Sequence, residues 1–140
     1  FSIWEATETD IELVFDSGDQ FEQIMADTDT FRDFFNVSND DNNFDSRSDN
    51  KGPESEALGV GEINGKTYAF IGLERMGGVM TYDITNPSQP QFVEYFNNRD
   101  FSIEFGENED GDSVLTPEQL TAIGDLGPKE SRLYLEKTLD

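Results

Sequence analysis

The period of the hydrophobic pattern changes along the chain, and the changes divide it into segments. Ser2-Ile3-Trp4 and Ile11-Glu12-Leu13-Val14-Phe15 are short apolar-rich runs of strand type. Phe21, Ile24 and Met25 then fall at helical spacing behind Asp19, which reads as an N-cap with Glu22 in the capping-box position. A short helix is expected through Ala26, with a further helical turn over Thr30 to Phe35. From Ser38 to Pro53 periodicity disappears, and the polar run SNDDNNFDSRSDNKGP reads as a loop.

Alternation of strand type returns at Ala57. The pattern predicts four consecutive strands: Ala57 to Ile63, Lys66 to Glu74, Val79 to Ile84 and Phe92 to Phe96. Asn64-Gly65 between the first two is a strong hairpin signal, because a type I′ turn needs positive φ at both central residues. Arg75-Met76-Gly77 and the Pro-punctuated Asn86 to Pro90 supply the other turns. Tyr68, Phe70, Ile71, Val79, Tyr82 and Phe92 are the expected core between packed sheets. Beyond Asn97 a second acidic stretch reaches Asp125. Inside it Thr116, Pro117 and Gln119 read as N-cap, first helical residue and capping-box partner of a short helix ending near Gly124. Gly127 to Leu135 is a candidate last strand.

Four short antiparallel strands with tight turns make one blade of a β-propeller, which closes only with about four to eight blades. The expected fold is all-β: a partial β-propeller of about one full four-stranded blade plus parts of two neighbours, with short helices in acidic insertions. The expected organisation is one fragment of a single domain. Residues 1–37 end one blade, 38–53 form an acidic loop, 54–96 the full blade, 97–126 an acidic insertion and 127–140 the start of the next blade. Gly52-Pro53 and Leu58 recur at one common offset as Gly127-Pro128 and Leu133, which supports a repeated unit. The chain begins at Phe1 rather than Met, so it is read as part of a longer or processed protein.

Charge sharpens the list of partners. Nine Lys+Arg stand against 31 Asp+Glu, a formal net charge of −22. No basic patch exists for nucleic acid, and no apolar run approaches the ~20 residues of a membrane span. Metal cations, calcium first, are the expected partners; the ordinary explanation of such acidity is a solvated surface suited to saline surroundings. With neither Cys nor His, thiolate and imidazole chemistry are excluded within the chain. Open blade faces would also invite self-association or a complementary chain.

Two segments carry candidate chemistry. Asn108-Glu109-Asp110-Gly111-Asp112-Ser113-Val114-Leu115-Thr116-Pro117-Glu118-Gln119 resembles the calcium loop of EF-hands. Oxygens of Asn108, Asp110 and Asp112 fall at positions 1, 3 and 5, the Val114 carbonyl at 7 and Gln119 at 12. Ser113 replaces the turn Gly, and Gln119 the bidentate Glu; an acidic turn before a capped helix would look the same. The second segment, Asp45 to Glu56, places Asp49, Glu54 and Glu56 as metal candidates where the chain enters the first blade strand. Lys51, Arg75 and Arg99 are candidates for an anion or phosphate. Arg75 and Arg99 also stand beside carboxylates, Glu74 and Asp100, and pairing with them is the expected structural role. The Asn36-Val37-Ser38 run matches a glycosylation sequon.

FSIWEA, ELVFDSGDQFE, DSRSDNKGPESEALGVGEINGKTYAFIGLER, GGVMTYDITNPSQPQFVEYFNNRDF and GDLGP together resemble the choice-of-anchor I family. Its members are secreted bacterial β-propellers often labelled alkaline-phosphatase-like or phytase/esterase-like, and animal mesenchyme-specific cell-surface glycoproteins are similar. The resemblance implies an extracellular, periplasmic or cell-surface location, a calcium-associated propeller, and a chain drawn from its later part. The tail departs from the family: Lys129-Glu130-Ser131-Arg132 follows GDLGP where relatives continue with Glu-Gly and a strand. Three readings stand at this level. The chain is a calcium-binding structural or binding module, part of a metal-dependent phosphomonoesterase, or an acidic scaffold without a specific site. In the second, carboxylates at Asp49, Glu54 and Glu56 would hold calcium while Lys51 and Arg75 meet phosphate.

Overall fold

A computed structural model of the chain describes residues 1–127. Two strands, β1 (Ser2–Ala6) and β2 (Ile11–Asp16), pair antiparallel with a register shift at Ile3/Trp4. Helix α1 (Gln20–Asp27) and a 3-10 turn (Arg32–Phe34) follow. Then comes a four-stranded antiparallel meander, β3 (Ser55–Ile63), β4 (Lys66–Leu73), β5 (Val79–Asp83) and β6 (Gln91–Phe96), in the order β3-β4-β5-β6. A two-residue pair, β7 (Gly106–Glu107) with β8 (Ser113–Val114), and helix α2 (Pro117–Ala122) complete the described chain. The fold is all-β with short helices, and the meander has the form of a propeller blade.

The β3–β4 hairpin turns on Asn64 (φ 53°) and Gly65 (φ 78°), with Ile63 paired to Lys66. Both central residues take the left-handed conformation that the I′ turn demands. At the far end of β4 the chain turns through Gly77 and Gly78. A Cβ at Gly78 would stand 2.5 Å from the Phe96 carbonyl, so only glycine lets β6 pass this close.

The core lies on one face of the blade. Ala69, Ile71 and Leu73 of β4, Met80 and Tyr82 of β5 and Tyr95 of β6 are buried against Phe21 and Met25 of α1 and against Val37. Strand alternation puts the β4 set on one side, and the helical spacing of Phe21 and Met25 aims α1 at it. Phe1 packs its ring 4.8 Å from Tyr82, and Phe31 lies 4.8 Å from Tyr95. Both phenols keep a partner: Tyr82 donates to Gln20 Oε1 and Tyr95 to the Gly77 carbonyl. Burial raises both hydroxyl pKa values, that of Tyr82 to about 12.

Of the expected core, Ile71 and Tyr82 are buried there, while Tyr68, Phe70 and Val79 are half-buried on the opposite face. Phe92, the register partner of Tyr82 on the end strand β6, is 43 % exposed and meets the Tyr82 ring edge-on at 5.6 Å. The Asp19–Glu22 capping box does not form. No side chain caps α1, and Asp19 Oδ1 instead accepts from Gln23 Nε2 one turn on. The capping box of α2 does form, between Thr116 and Gln119. The candidate strand from Gly127 to Leu135, and with it the start of a next blade over 127–140, lies outside the described residues from Pro128 onward.

Candidate functional site

The segment from Ser38 to Pro53 is tied down by its own backbone. Arg47 donates its amide to the Asn36 carbonyl, and the amides of Lys51 and Gly52 both donate to the Arg47 carbonyl. Arg47 Nε reaches the buried Ser38 hydroxyl. These bonds return the chain to the entrance of β3, where Glu54 adopts φ 50° before the strand begins.

The β3–β4 register then decides which side chains meet. Ser55 pairs with Leu73, and the Glu74 amide donates to the Glu54 carbonyl at 2.8 Å. This places Glu54, Glu56 and Glu74 together, with one carboxylate oxygen of each within 4.8 Å of the others. Glu74 is buried and Glu56 exposed. Two cations share the place. Lys51 Nζ donates to Glu54 Oε1 at 2.6 Å and Arg75 Nε to Glu54 Oε2 at 2.5 Å. Arg75 also lies 4.0 Å from Glu74 Oε1 and donates to Asn39 Oδ1. The hydrogen bond from Lys51 lowers the Glu54 pKa most, and it outweighs the opposing effect of desolvation with help from Arg75. Burial works against the Arg75 charge, but the bond it donates to Glu54 and the negative charge there raise its pKa above the ordinary value.

Glu54 and Glu56, the metal candidates of the sequence, and Lys51 and Arg75, two of its anion candidates, all come to one place, and there the cations pair with Glu54. Asp49 is exposed on the loop and is not part of the three-carboxylate group. Glu74 joins the group without being a metal candidate by sequence, although the hairpin register contains the signal: counting outward from Asn64-Gly65 sets Glu54 to Glu56 beside it.

Arg99 lies elsewhere and faces inward. It is 5 % exposed. Its Nη1 donates to the Ser38 carbonyl at 2.7 Å, and its Nη2 to the Asp41 carbonyl and Asn42 Oδ1. Asn42 Nδ2 in turn donates to the carbonyls of Phe101 and Ile103. The guanidinium stands 4.9 Å over the Phe101 ring. Desolvation lowers its pKa to about 10. The expected pairing of Arg99 with Asp100 is corrected: Asp100 accepts from the Ser102 hydroxyl and amide, and the Arg99 donors go to the loop. The two adjacent charges separate because the Asp100 carboxylate caps the turn that begins at Asp100, while Arg99 reaches back to the loop.

The Asn108–Gln119 segment forms the β7–β8 hairpin and the start of α2. Asn108 Oδ1 accepts from the amides of Asp110 and Asp112, and its Nδ2 donates to Asp112 Oδ2. Asn108, Asp110 and Asp112 are exposed, and Val114 lies in β8. Gln119 is engaged at both ends of its amide. Its Oε1 caps the Thr116 amide, and its Nε2 donates to the Glu104 carbonyl.

The choice-of-anchor I domain matches residues 1–87, the span that contains the β1–β2 hairpin, α1, the tied loop and three of the four blade strands. No curated protein and no solved structure matches the chain.

Proposed function

The chain belongs to the choice-of-anchor I domain family, and from that premise we propose that it is a calcium-stabilised structural and binding module of a secreted or cell-surface β-propeller. Choice-of-anchor domains occur in secreted or cell-surface bacterial proteins. Among the described residues no helix is long and apolar enough to cross a membrane.

The observation that supports the cation reading best is the meeting of Glu54, Glu56 and Glu74. Three carboxylates and two cations leave the group with an excess negative charge. Calcium takes six to eight oxygens and accepts irregular geometry, so carboxylates gathered where β3 begins and β4 ends suit it. Lys51 and Arg75 compete for Glu54, so binding belongs in the weak range of extracellular modules, about 10⁻⁴–10⁻³ M. The same ion pairs favour a module over a phosphomonoesterase, since both cations proposed for phosphate already bond to a carboxylate. The hairpin of Asn108, Asp110 and Asp112 is the second cation locus.

Thermal unfolding with and without millimolar calcium tests this. An ion bound only by the folded state raises the midpoint by mass action. Glu56→Gln removes the shift if the blade entrance holds the ion. Asp110→Ala with Asp112→Ala removes it if the hairpin does. A parent protein whose midpoint does not move with calcium overturns the cation reading.

A further inference from the structure

We propose that Asn64 is a site of spontaneous covalent modification, in which its side-chain amide is converted through a cyclic imide to aspartate and isoaspartate. The chemistry needs a backbone nitrogen after asparagine that is accessible and unhindered. Asn64-Gly65 is the one Asn-Gly pair in the sequence. Both residues are exposed at the tip of the β3–β4 hairpin. A Cβ built on Gly65 meets nothing within 4 Å beyond its chain neighbours, so among the described residues the space beside the Gly65 backbone is open. Among the described residues no acceptor takes the Gly65 amide proton.

The step balances without an outside reagent other than water. The deprotonated Gly65 nitrogen attacks Cγ of Asn64 and forms the new N–C bond. The Cγ–Nδ2 bond breaks, and Nδ2 leaves as ammonia with a proton taken from water. Water then adds to either carbonyl of the five-membered imide. One opening gives aspartate with the main chain intact. The other gives isoaspartate, which carries one extra carbon in the main chain.

Asn36 and Asn42, by contrast, are protected. Asn36 is buried, and its Nδ2 donates to the Ser48 hydroxyl. Asn42 Nδ2 is held by two carbonyls. The place of Asn64 also gives its conversion a structural consequence. A two-residue I′ turn fixes register through its length, so an added main-chain carbon there disturbs the pairing of Ile63 with Lys66. Either product adds a negative charge to a chain already at −22.

The test is incubation of the folded, full chain in mildly alkaline buffer over weeks, with samples digested by trypsin and weighed by mass spectrometry. Cleavage after Lys51 and Lys66 releases residues 52–66, in which Asn64 is the only asparagine. This peptide is expected to gain the mass of an amide-to-acid change before any other asparagine peptide does. Part of the product should accept methyl groups from an isoaspartyl methyltransferase. The proposal is overturned if residues 52–66 keep their amide mass, or if another asparagine of the folded chain converts first.

Discussion

Arg75 and Glu54 meet through an Nε–H···Oε2 bond of 2.5 Å that fastens the end of β4 to the entrance of β3. Lys51 holds the other oxygen of Glu54. At the opposite end of β4, Lys66 holds Asp83; that bond and those from Thr85 bring the Asp83 pKa down to about 2. Both carboxyls therefore titrate lower in the folded chain than in the unfolded chain. In the acid range the unfolded chain binds more protons, so their contribution is complete above the ordinary carboxylate pKa near ~4 and is lost as pH falls through the folded values. Acid also relieves general repulsion in this anionic chain, so the comparison must be made against variants. Arg75→Gln and Lys66→Gln should each lower the urea midpoint at neutral pH and make it less sensitive to acid than the parent's. Equal acid sensitivity in parent and variants would contradict the assignment.

Salt should stabilise the protein. All six basic side chains among the described residues are engaged in hydrogen bonds: Arg32 with Asp29, Arg47 with Ser38, Lys51 and Arg75 with Glu54, Lys66 with Asp83, and Arg99 with the loop carbonyls. Most surface carboxylates thus face one another across water. Screening shortens their reach from about 30 Å at 0.01 M to about 3 Å at 1 M ionic strength. The thermal midpoint should rise steadily with sodium chloride over that range. A midpoint that is flat or falls with salt would show that local ion pairs outweigh the net charge.

Arg99 holds the Ser38–Asn42 loop against the end of the blade. Arg99→Ala leaves buried carbonyls without donors, at a cost of about 1–3 kcal/mol. Arg99→Lys should recover little of this, since an ammonium lacks the planar fork that reaches three acceptors at once. Chemical denaturation of the two variants measures the difference. Hydrogen exchange should show faster opening across residues 38–53 in both, and full recovery in the lysine variant would argue that charge alone matters.

The blade is legible in the sequence because its local signals agree. Alternation in Lys66 to Glu74, the Asn64-Gly65 turn and the Pro-punctuated turn at Asn86 all point to one meander, and the observed strand pairing follows them to within a residue or two. Glu54 and Glu56 are legible as candidates because they are dense acids beside a strand entrance. Their meeting with Glu74 is a consequence of register, which composition alone does not express. Arg99 shows a different limit. Its partners, the Ser38 and Asp41 carbonyls and Asn42, lie about sixty residues away and have no side-chain signature beyond Asn42. The run from Ser38 to Pro53 reads as structureless for the same reason: its order rests on backbone bonds that polar residues of many kinds could make.

Leu58 and Leu73 share one face of the blade yet differ in environment. Leu73 is fully buried, whereas Leu58 is 64 % exposed on β3, one of the two end strands of the sheet among the described residues, with Val60 beside it at 57 %. Leu73→Ala should cost about 2–5 kcal/mol, the range for emptying a packed site. Leu58→Ala should cost no more than about 0.5 kcal/mol in dilute protein. An uncovered edge with apolar side chains favours association. At high salt, where repulsion is screened, light scattering should therefore show a mass that grows with concentration, and Leu58→Lys with Val60→Lys should abolish that growth. If Leu58→Ala proves as costly as Leu73→Ala at concentrations where the chain is a monomer, the edge is already covered within the chain and the association argument fails.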